Sequence, residues 1–375
     1  MRTDSLAWLM NKDIMRTVLI LGGYGNFGKR IAAALAAKGV DFVIAGRTAE
    51  KAKALADALG KHAGFATFDV NSDLADQLVR LKPAVVVNTC GPFQEADYRV
   101  AETCIEAGVN YVDLADGRDF VTGITVLDER AKAAGVAVVS GASTVPGLSS
   151  AVLEHQASLF SRIDRLSFGI SPGQRAERGL ATTRGIMSYV GKPLKPFPGF
   201  RQPAFGWQDL YRQHYPVLGK RWMANCDIPD LDLLPPRYGI GQIRFSAGLE
   251  LSLLHLGLWG LSWLVRAGLP LNLPGLAGPL LTMSDWFNAL GSGDGGMHMV
   301  MEGVDRNGER AVRKWFIVAR DGTGPHIPTI PAVLLAERQA RGDGLVPGAY
   351  PCLGLVKLED YLAELKPLGI ETFEA

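Results

Sequence analysis

The sequence predicts an α/β chain with a doubly wound parallel sheet in its first 150 residues, then a second α+β domain built on an antiparallel or mixed sheet. Three observations carry this. The apolar run Val18-Leu19-Ile20-Leu21 ends in glycines and turns into the alanine-rich, helix-forming stretch 31–37. From Arg16 to Ser140 short β-rich runs alternate with longer helical ones, and the strands are continuously apolar, as in a parallel sheet covered on both faces. Beyond residue 150 that alternation stops. The first part therefore has the Rossmann arrangement.

Strands are expected near 17–22, 41–46, 64–68, 84–88, 110–113 and 136–139, and helices near 26–38, 49–60, 71–80, 95–108 and 120–134. The expected domains are 15–150, 151–345, and a closing segment, 346–375, that returns to the first domain. With 375 residues, 47% of them hydrophobic, the chain can bury two full-sized cores. The balance of 39 basic against 38 acidic residues gives no reason to expect a nucleic-acid partner. Cys90, Cys104, Cys226 and Cys352 show neither pairing nor metal-type spacing, which suits a reducing, cytoplasmic compartment. The apolar run 6–10 is too short and poorly flanked for a secretory signal, and Met15 is an alternative start.

Gly23, Gly25 and Gly28 fit G-x-G-x-x-G between a strand and a helix, the context that gives the pattern meaning. The first glycine allows the tight turn, the second lets backbone approach a pyrophosphate, and the third lets helix and strand pack closely. Tyr24, Asn26 and Phe27 complete the loop, and the helix N-terminus offers N–H groups to phosphates. The second strand ends in Arg47-Thr48 rather than in an acidic residue. An arginine there pairs with a 2′-phosphate, so NADP is favoured over NAD; the bland alternative is a surface arginine starting a helix. Asp69-Val70 sits where a loop passes an adenine, or where a helix is capped. Asn88-Thr89-Cys90-Gly91-Pro92 ends the fourth strand, where small side chains and backbone can line the nicotinamide half. Cys90 has no sequence-visible base beside it and reads as a wall residue, not a nucleophile.

These stretches, with Tyr111-Val112-Asp113-Leu114-Ala115-Asp116-Gly117 and Ser140-Gly141-Ala142-Ser143-Thr144-Val145-Pro146-Gly147, resemble the NADP-binding domain of the saccharopine dehydrogenase-like oxidoreductases over roughly residues 16–155. The resemblance implies NADP binding and hydride transfer. In saccharopine reductases the segment after the last Rossmann strand carries Asp-Pro-Gly and a histidine near the substrate. Here it reads Val145-Pro146-Gly147-Leu148-Ser149-Ser150, so saccharopine does not carry over as substrate.

In the second half, 151–160 reads as a linking helix and 163–171 as a strand. The stretch 172–184 places Arg175, Arg178 and Arg184 beside glycines, either as a loop that clamps an anion or as a solvated loop. Residues 193–236 read as an ordered, irregular wrap or lid rich in Pro, Trp and Tyr, with His214 as a remote acid candidate. The run 249–265 is shorter than a membrane span and is a buried helix, a dimer face, or a surface touching lipid or an apolar substrate. Residues 297–304 and 311–319 form a hairpin across Arg306-Asn307-Gly308-Glu309, with the alternating methionines as core. Helices are expected near 331–340 and 358–365, the latter returning to the first domain.

The resulting expectation is an NADP-dependent oxidoreductase, a homodimer, acting on a C=N, C=O or activated C=C group of a small substrate across a cleft walled by the second domain. Tyr98, Asp116 and Arg118 follow the fourth and fifth strands and are the catalytic candidates, as proton donor, base or amine ligand, and carboxylate anchor; Asp97 lies beside them. The alternatives are a membrane-peripheral reductase of a lipid-like substrate and a nucleotide-binding protein without catalysis.

Overall fold

The computed structural model describes residues 17–94 and 96–375. The readings of residues 1–16, on a signal and on Met15 as a start, lie outside the described residues. In chain order the strands are β1 (Val18–Leu21), β2 (Phe42–Gly46), β3 (Ala63–Thr67), β4 (Val85–Asn88), β5 (Asn110–Asp113), β6 (Ala137–Ser140) and β7 (Phe160–Ser171). They continue with β8 (Tyr211–Tyr215), β9 (Gly219–Asn225), β10 (Gln242–Ala247), β11 (Gly295–Asp305), β12 (Arg310–Ala319), β13 (Gly348–Pro351) and β14 (Glu371–Glu374). Two compact units result, one holding the described residues up to Leu148 with Pro328–Val356, the other Ser149–Ile327 with Lys357–Ala375.

The first unit is a seven-stranded sheet in the order β13-β6-β5-β4-β1-β2-β3, parallel throughout. Its central strands are apolar at successive positions because both faces are covered: all of Val18–Leu21 and Val85–Asn88 are buried. Apolar side chains of the helices Leu74–Leu81 and Arg99–Glu106 join the strands in one core, with Leu74, Leu78, Leu81, Cys104 and Ile105 against Leu19, Val86 and Tyr111.

Several expectations are corrected. The helix expected over 120–134 is three pieces, Arg118–Gly123, a 3-10 turn Ile124–Leu127, and Asp128–Ala134. Gly123 and the β-branched Ile124-Thr125-Val126 weaken a continuous helix, while Ile124 and Leu127 gain burial by the change of pitch. The return to the first unit is made by residues 328–356, through the helix Ile330–Arg341 and by β13 beside β6, so it starts earlier than 346 and ends at Val356. The closing helix Leu358–Leu365 and β14 belong to the second unit; Tyr361 of that helix is fully buried there and donates to Ile327 O.

The second unit is a mixed seven-stranded sheet, β14-β12-β11-β7-β10-β9-β8, in which only β7 and β10 run parallel. The β11–β12 hairpin pairs Gly303 with Ala311, and its turn is held by Asp305 Oδ1, which accepts from Asn307 N (2.8 Å) and Glu309 N (3.0 Å). Gly308 takes a φ of 87°, which an asparagine-glycine turn supplies at low cost. Met297, Met299 and Met301 are buried core, as alternation requires. Between them His298 points to the other face, where Tyr215 OH lies 2.8 Å from Nδ1 and Tyr211 OH 3.3 Å from Nε2. Burial pushes its pKa down to about 3, so the ring is neutral and one nitrogen donates while the other accepts.

The linking helix is Ser149–Ala157, and Phe160 already opens β7. Leu180–Arg184, expected in a loop, begin the helix Leu180–Tyr189, where Met187 packs with Val190 against Trp207. The stretch 193–236 is ordered, and irregular only up to about residue 210. It contains the β8–β9 hairpin and the helix Asp230–Tyr238, and Trp207 and Tyr215 are buried in the unit's own core. The run 249–265 forms the helix Ser252–Arg266. No helix among the described residues is long and apolar enough to cross a membrane.

Phe168 on β7 is fully buried, pairs across the sheet with Met299 and meets Phe245 edge-on at 5.0 Å. Phe168→Ala is expected to cost about 3–5 kcal/mol of stability, read as a lowered urea midpoint with an unchanged slope.

Candidate functional site

The carboxyl ends of β1, β2, β4 and β5 lie side by side, because parallel pairing in register (Leu21 beside Ala45 and Asn88, Asn88 beside Asp113) brings their following loops to one edge of the sheet. Ligands of open parallel sheets bind along this edge.

The loop after β1 closes on itself. Gly25 N donates to Gly22 O at 2.8 Å and Gly23 N to Ala45 O at 3.0 Å. A Cβ at Gly28 would run into Gly22 O and lie 2.7 Å from Gly23 Cα, so helix and turn approach as closely as backbone allows. The helix Gly28–Ala37 then starts with Phe27 at the cap position, no capping side chain and no acid in its first turn. Lys29 N donates to Gly25 O at 3.1 Å and Arg30 N and Ile31 N to Phe27 O, so what fits a pyrophosphate here is the glycine turn with the positive end of a helix dipole that no acid opposes. Arg30 folds back onto the Asn26 carbonyl and side-chain oxygens and fixes the loop from below.

Tyr24 reaches from this loop to the end of β2. Its hydroxyl accepts from Thr48 N at 3.1 Å, and its ring lies over Gly46, where a Cβ would come 2.7 Å from Cζ. Arg47 stands exposed between these two residues. Thr89 ties the end of β4 to the same loop, its Oγ1 donating to Leu21 O (2.8 Å) and Gly22 O (3.2 Å). Cys90 is exposed as a residue but turns Sγ toward Gly22, where loss of hydration around the sulfur, outweighing the attraction of Arg47, pushes its pKa up to about 11. It is a thiol at neutral pH. Gly91 N bonds back to Thr89 O at 3.1 Å, and Pro92 is exposed beyond it. After β3, Asp69 Oδ1 accepts from Asn71 N at 2.9 Å and from its side chain, and Val70 packs on the core, so this pair shapes the local turn.

The catalytic candidates separate. Asp116 is partly exposed and accepts from Gln94 Nε2 at 3.0 Å; burial raises its pKa and the Gln94 bond offsets part of that. Tyr98 donates its hydroxyl to Phe120 O at 2.7 Å and packs on the Phe120 ring at 4.8 Å, so its proton is committed inside the fold. Arg118 is 5% exposed in the first turn of its helix. Asp97 is exposed and pairs with Arg99 at 2.8 Å. In the second unit, Arg178 binds Ser284 and Asp285 while Arg184 lies on a helix, so the three arginines of 172–184 form no single clamp. His214 is exposed on β8.

The residue that sequence reasoning passed over is Asp113. It is fully buried at the end of β5, and Oδ1 accepts from Gly141 N (2.8 Å), Ala115 N (3.0 Å) and Ser140 Oγ (3.0 Å). Oδ2 has no partner among the described residues. Next to it Asn88 donates to Tyr111 OH at 3.1 Å and accepts from Cys90 N at 3.0 Å. This buried network sets the turn after β4 and the loop after β6. Its trace in the sequence was an acid at the end of the fifth strand, inside the stretch 111–117 that carries the family resemblance.

Residues 18–139 match the family model described as the saccharopine dehydrogenase NADP binding domain, which supports NADP as the cofactor. Among solved structures the chain is similar to an apo saccharopine dehydrogenase (L-Glu forming) from Saccharomyces cerevisiae, at 15% identity over 96% of this chain and 99% of that one, with a TM-score of 0.67. At that identity the likeness is one of fold. An amine dehydrogenase from Mycobacterium smegmatis aligns at 15% identity over 91% and 95% of the two chains, with a TM-score of 0.46. No curated protein matches the sequence.

Burial pushes the Asp113 pKa up to about 6, against roughly 3.9 in an unfolded chain. The folded state therefore keeps a proton that the unfolded state releases, and the stability this group contributes is lost as pH rises from roughly 4 through 6. Asp113→Asn, which mimics the protonated acid, is expected to remove that part of the decline. Urea midpoints of both proteins across this range check it, and parallel curves would refute it.

Proposed function

We propose, from the match of residues 18–139 to the saccharopine dehydrogenase NADP binding domain, that the protein is an NADP-dependent oxidoreductase of a small C=N, C=O or activated C=C substrate. The observation that carries the proposal is the glycine turn at 22–28 with its uncapped, acid-free helix start. When bound, NADP supplies or takes up a hydride at its nicotinamide ring.

In this reading Gly23, Gly25, Asn26 and Gly28 offer backbone to the pyrophosphate, and Arg47 with Thr48 takes the 2′-phosphate. An exposed guanidinium at the end of β2 is suited to a phosphate, since its fork of donors matches phosphate oxygens. Asn88, Thr89, Cys90 and Gly91 flank the nicotinamide half. They are held there by the bonds of Thr89 to the β1 loop and of Asn88 to Tyr111. Asp116 exchanges the proton at the reacting heteroatom, its raised pKa suiting a group that must both hold and release a proton nearer neutrality. Tyr98 and Arg118 serve the fold.

Arg47→Asp is expected to weaken NADPH binding at least ~10-fold while leaving NADH binding in place, measured by calorimetry; equal affinities before and after would remove Arg47 from the cofactor site. A panel of imino acids, ketones and enoyl compounds, followed by NADPH absorbance, is expected to reveal turnover. With the substrate so found, Asp116→Asn is expected to lower kcat on the order of 100-fold or more with NADPH affinity unchanged. A cofactor that stays redox-inert across the panel would favour a non-catalytic nucleotide-binding protein.

A further inference from the structure

In the second unit, the helix Ser252–Arg266 and the helix Leu273–Asp285 are apolar on both faces. Their inner faces build a core in which Leu258, Leu273 and Ala277 meet Met187, Val190 and Trp207. Their outer faces hold Leu253 (66% exposed), Leu256, Trp263 and Leu264 on the first helix, and Leu276 and Met283 on the second. Trp286 (77%) and Leu290 (71%) extend the patch beyond the second helix. Of residues 251–290 only Arg266 and Asp285 carry charge, and His255 is buried and held down at about 4. A helix apolar all round belongs in a large core or at a membrane, and here, among the described residues, the outer-face side chains stay exposed.

The flanking chain supplies the second observation. Residues 173–205 contain Arg175, Arg178, Arg184, Lys192, Lys195 and Arg201 against a single acid, Glu177. This segment packs directly on the two helices: Arg178 bonds Ser284 and Asp285, Gly191 abuts Ser262 and Val265, and Arg266 stacks on Phe205 at 3.8 Å. Arg175, Arg184, Lys192, Lys195 and Arg201 are exposed. We propose that the outer face of 252–290, rimmed by the basic segment 173–205, docks on an anionic lipid surface, with Trp263 and Trp286 at the headgroup level.

Charge separates this occupant from a second copy of the chain. An isologous dimer through the patch would set each basic rim beside its own copy, whereas anionic headgroups neutralise it. Two tryptophans among leucines also fit the interface, where an apolar body meets a polar tip. The inference stands independently of the oxidoreductase reading.

The test is flotation of the full chain with phosphatidylcholine vesicles, with and without phosphatidylglycerol. Binding is expected with the anionic vesicles and to fall at least ~10-fold for Leu253→Glu/Trp286→Glu, whose exposed positions leave folding and NADPH affinity as they were. Tryptophan quenching by brominated lipid reports insertion without relying on the variant. Absence of flotation and quenching with either vesicle would overturn the proposal, as would flotation that the double substitution leaves intact. So would light scattering that finds a dimer dissociated by the same substitutions.

Discussion

The close approach of two pieces of backbone governs the candidate site. Gly28 sits against Gly22 and Gly23 with no room for a Cβ, and this contact aims the start of the helix at the strand edge. Everything around it is fastened to that turn by backbone or short side chains: Gly23 to β2, Thr89 from β4, Tyr24 to the Thr48 amide. No acid stands in the first turn of that helix, so the positive end of its dipole meets no negative side chain of its own and is suited to an anion.

Both units also bury carboxyl groups at the ends of elements. Asp113 gathers three donors from the segments after β5 and β6, and in the second unit Ser149 donates to the fully buried Asp230, whose pKa burial pushes up to about 7. Such groups hold their loops in one arrangement, since any other leaves buried donors unpaired. In the first unit the loop so held leads out of β6 along the same edge as the glycine turn.

Most of the first sheet was legible because its signals are local. Continuous apolar strands, the glycine spacing and the Arg47-Thr48 strand end each depend on a few adjacent residues, and the Asn307-Gly308 turn announced its hairpin for the same reason. What stayed hidden depends on partners distant in sequence. Gly-Ala-Tyr-Pro at 348–351 carries no alternating or apolar strand pattern and becomes a strand only by lying beside β6. Tyr98 looked available until Phe120 supplied an acceptor for its hydroxyl. The aromatic stretch 193–236 suggested a lid, although Trp207 and Tyr215 are wanted in the core of their own unit. Asp113 was unreadable because its donors come from Ser140 and Gly141, on another strand's end.

The placement of β13 has a consequence for how the molecule is made. Without Gly348–Pro351 beside it, β6 would be a bare outer strand with its hydrogen-bonding groups unmatched, an invitation to foreign strands. A ribosome releases that strand only after residues 149–327 of the second unit have emerged. The nucleotide-binding half therefore ripens late, after the intervening residues have had time to assemble on their own, and a fragment cut at residue 150 would carry an open seam.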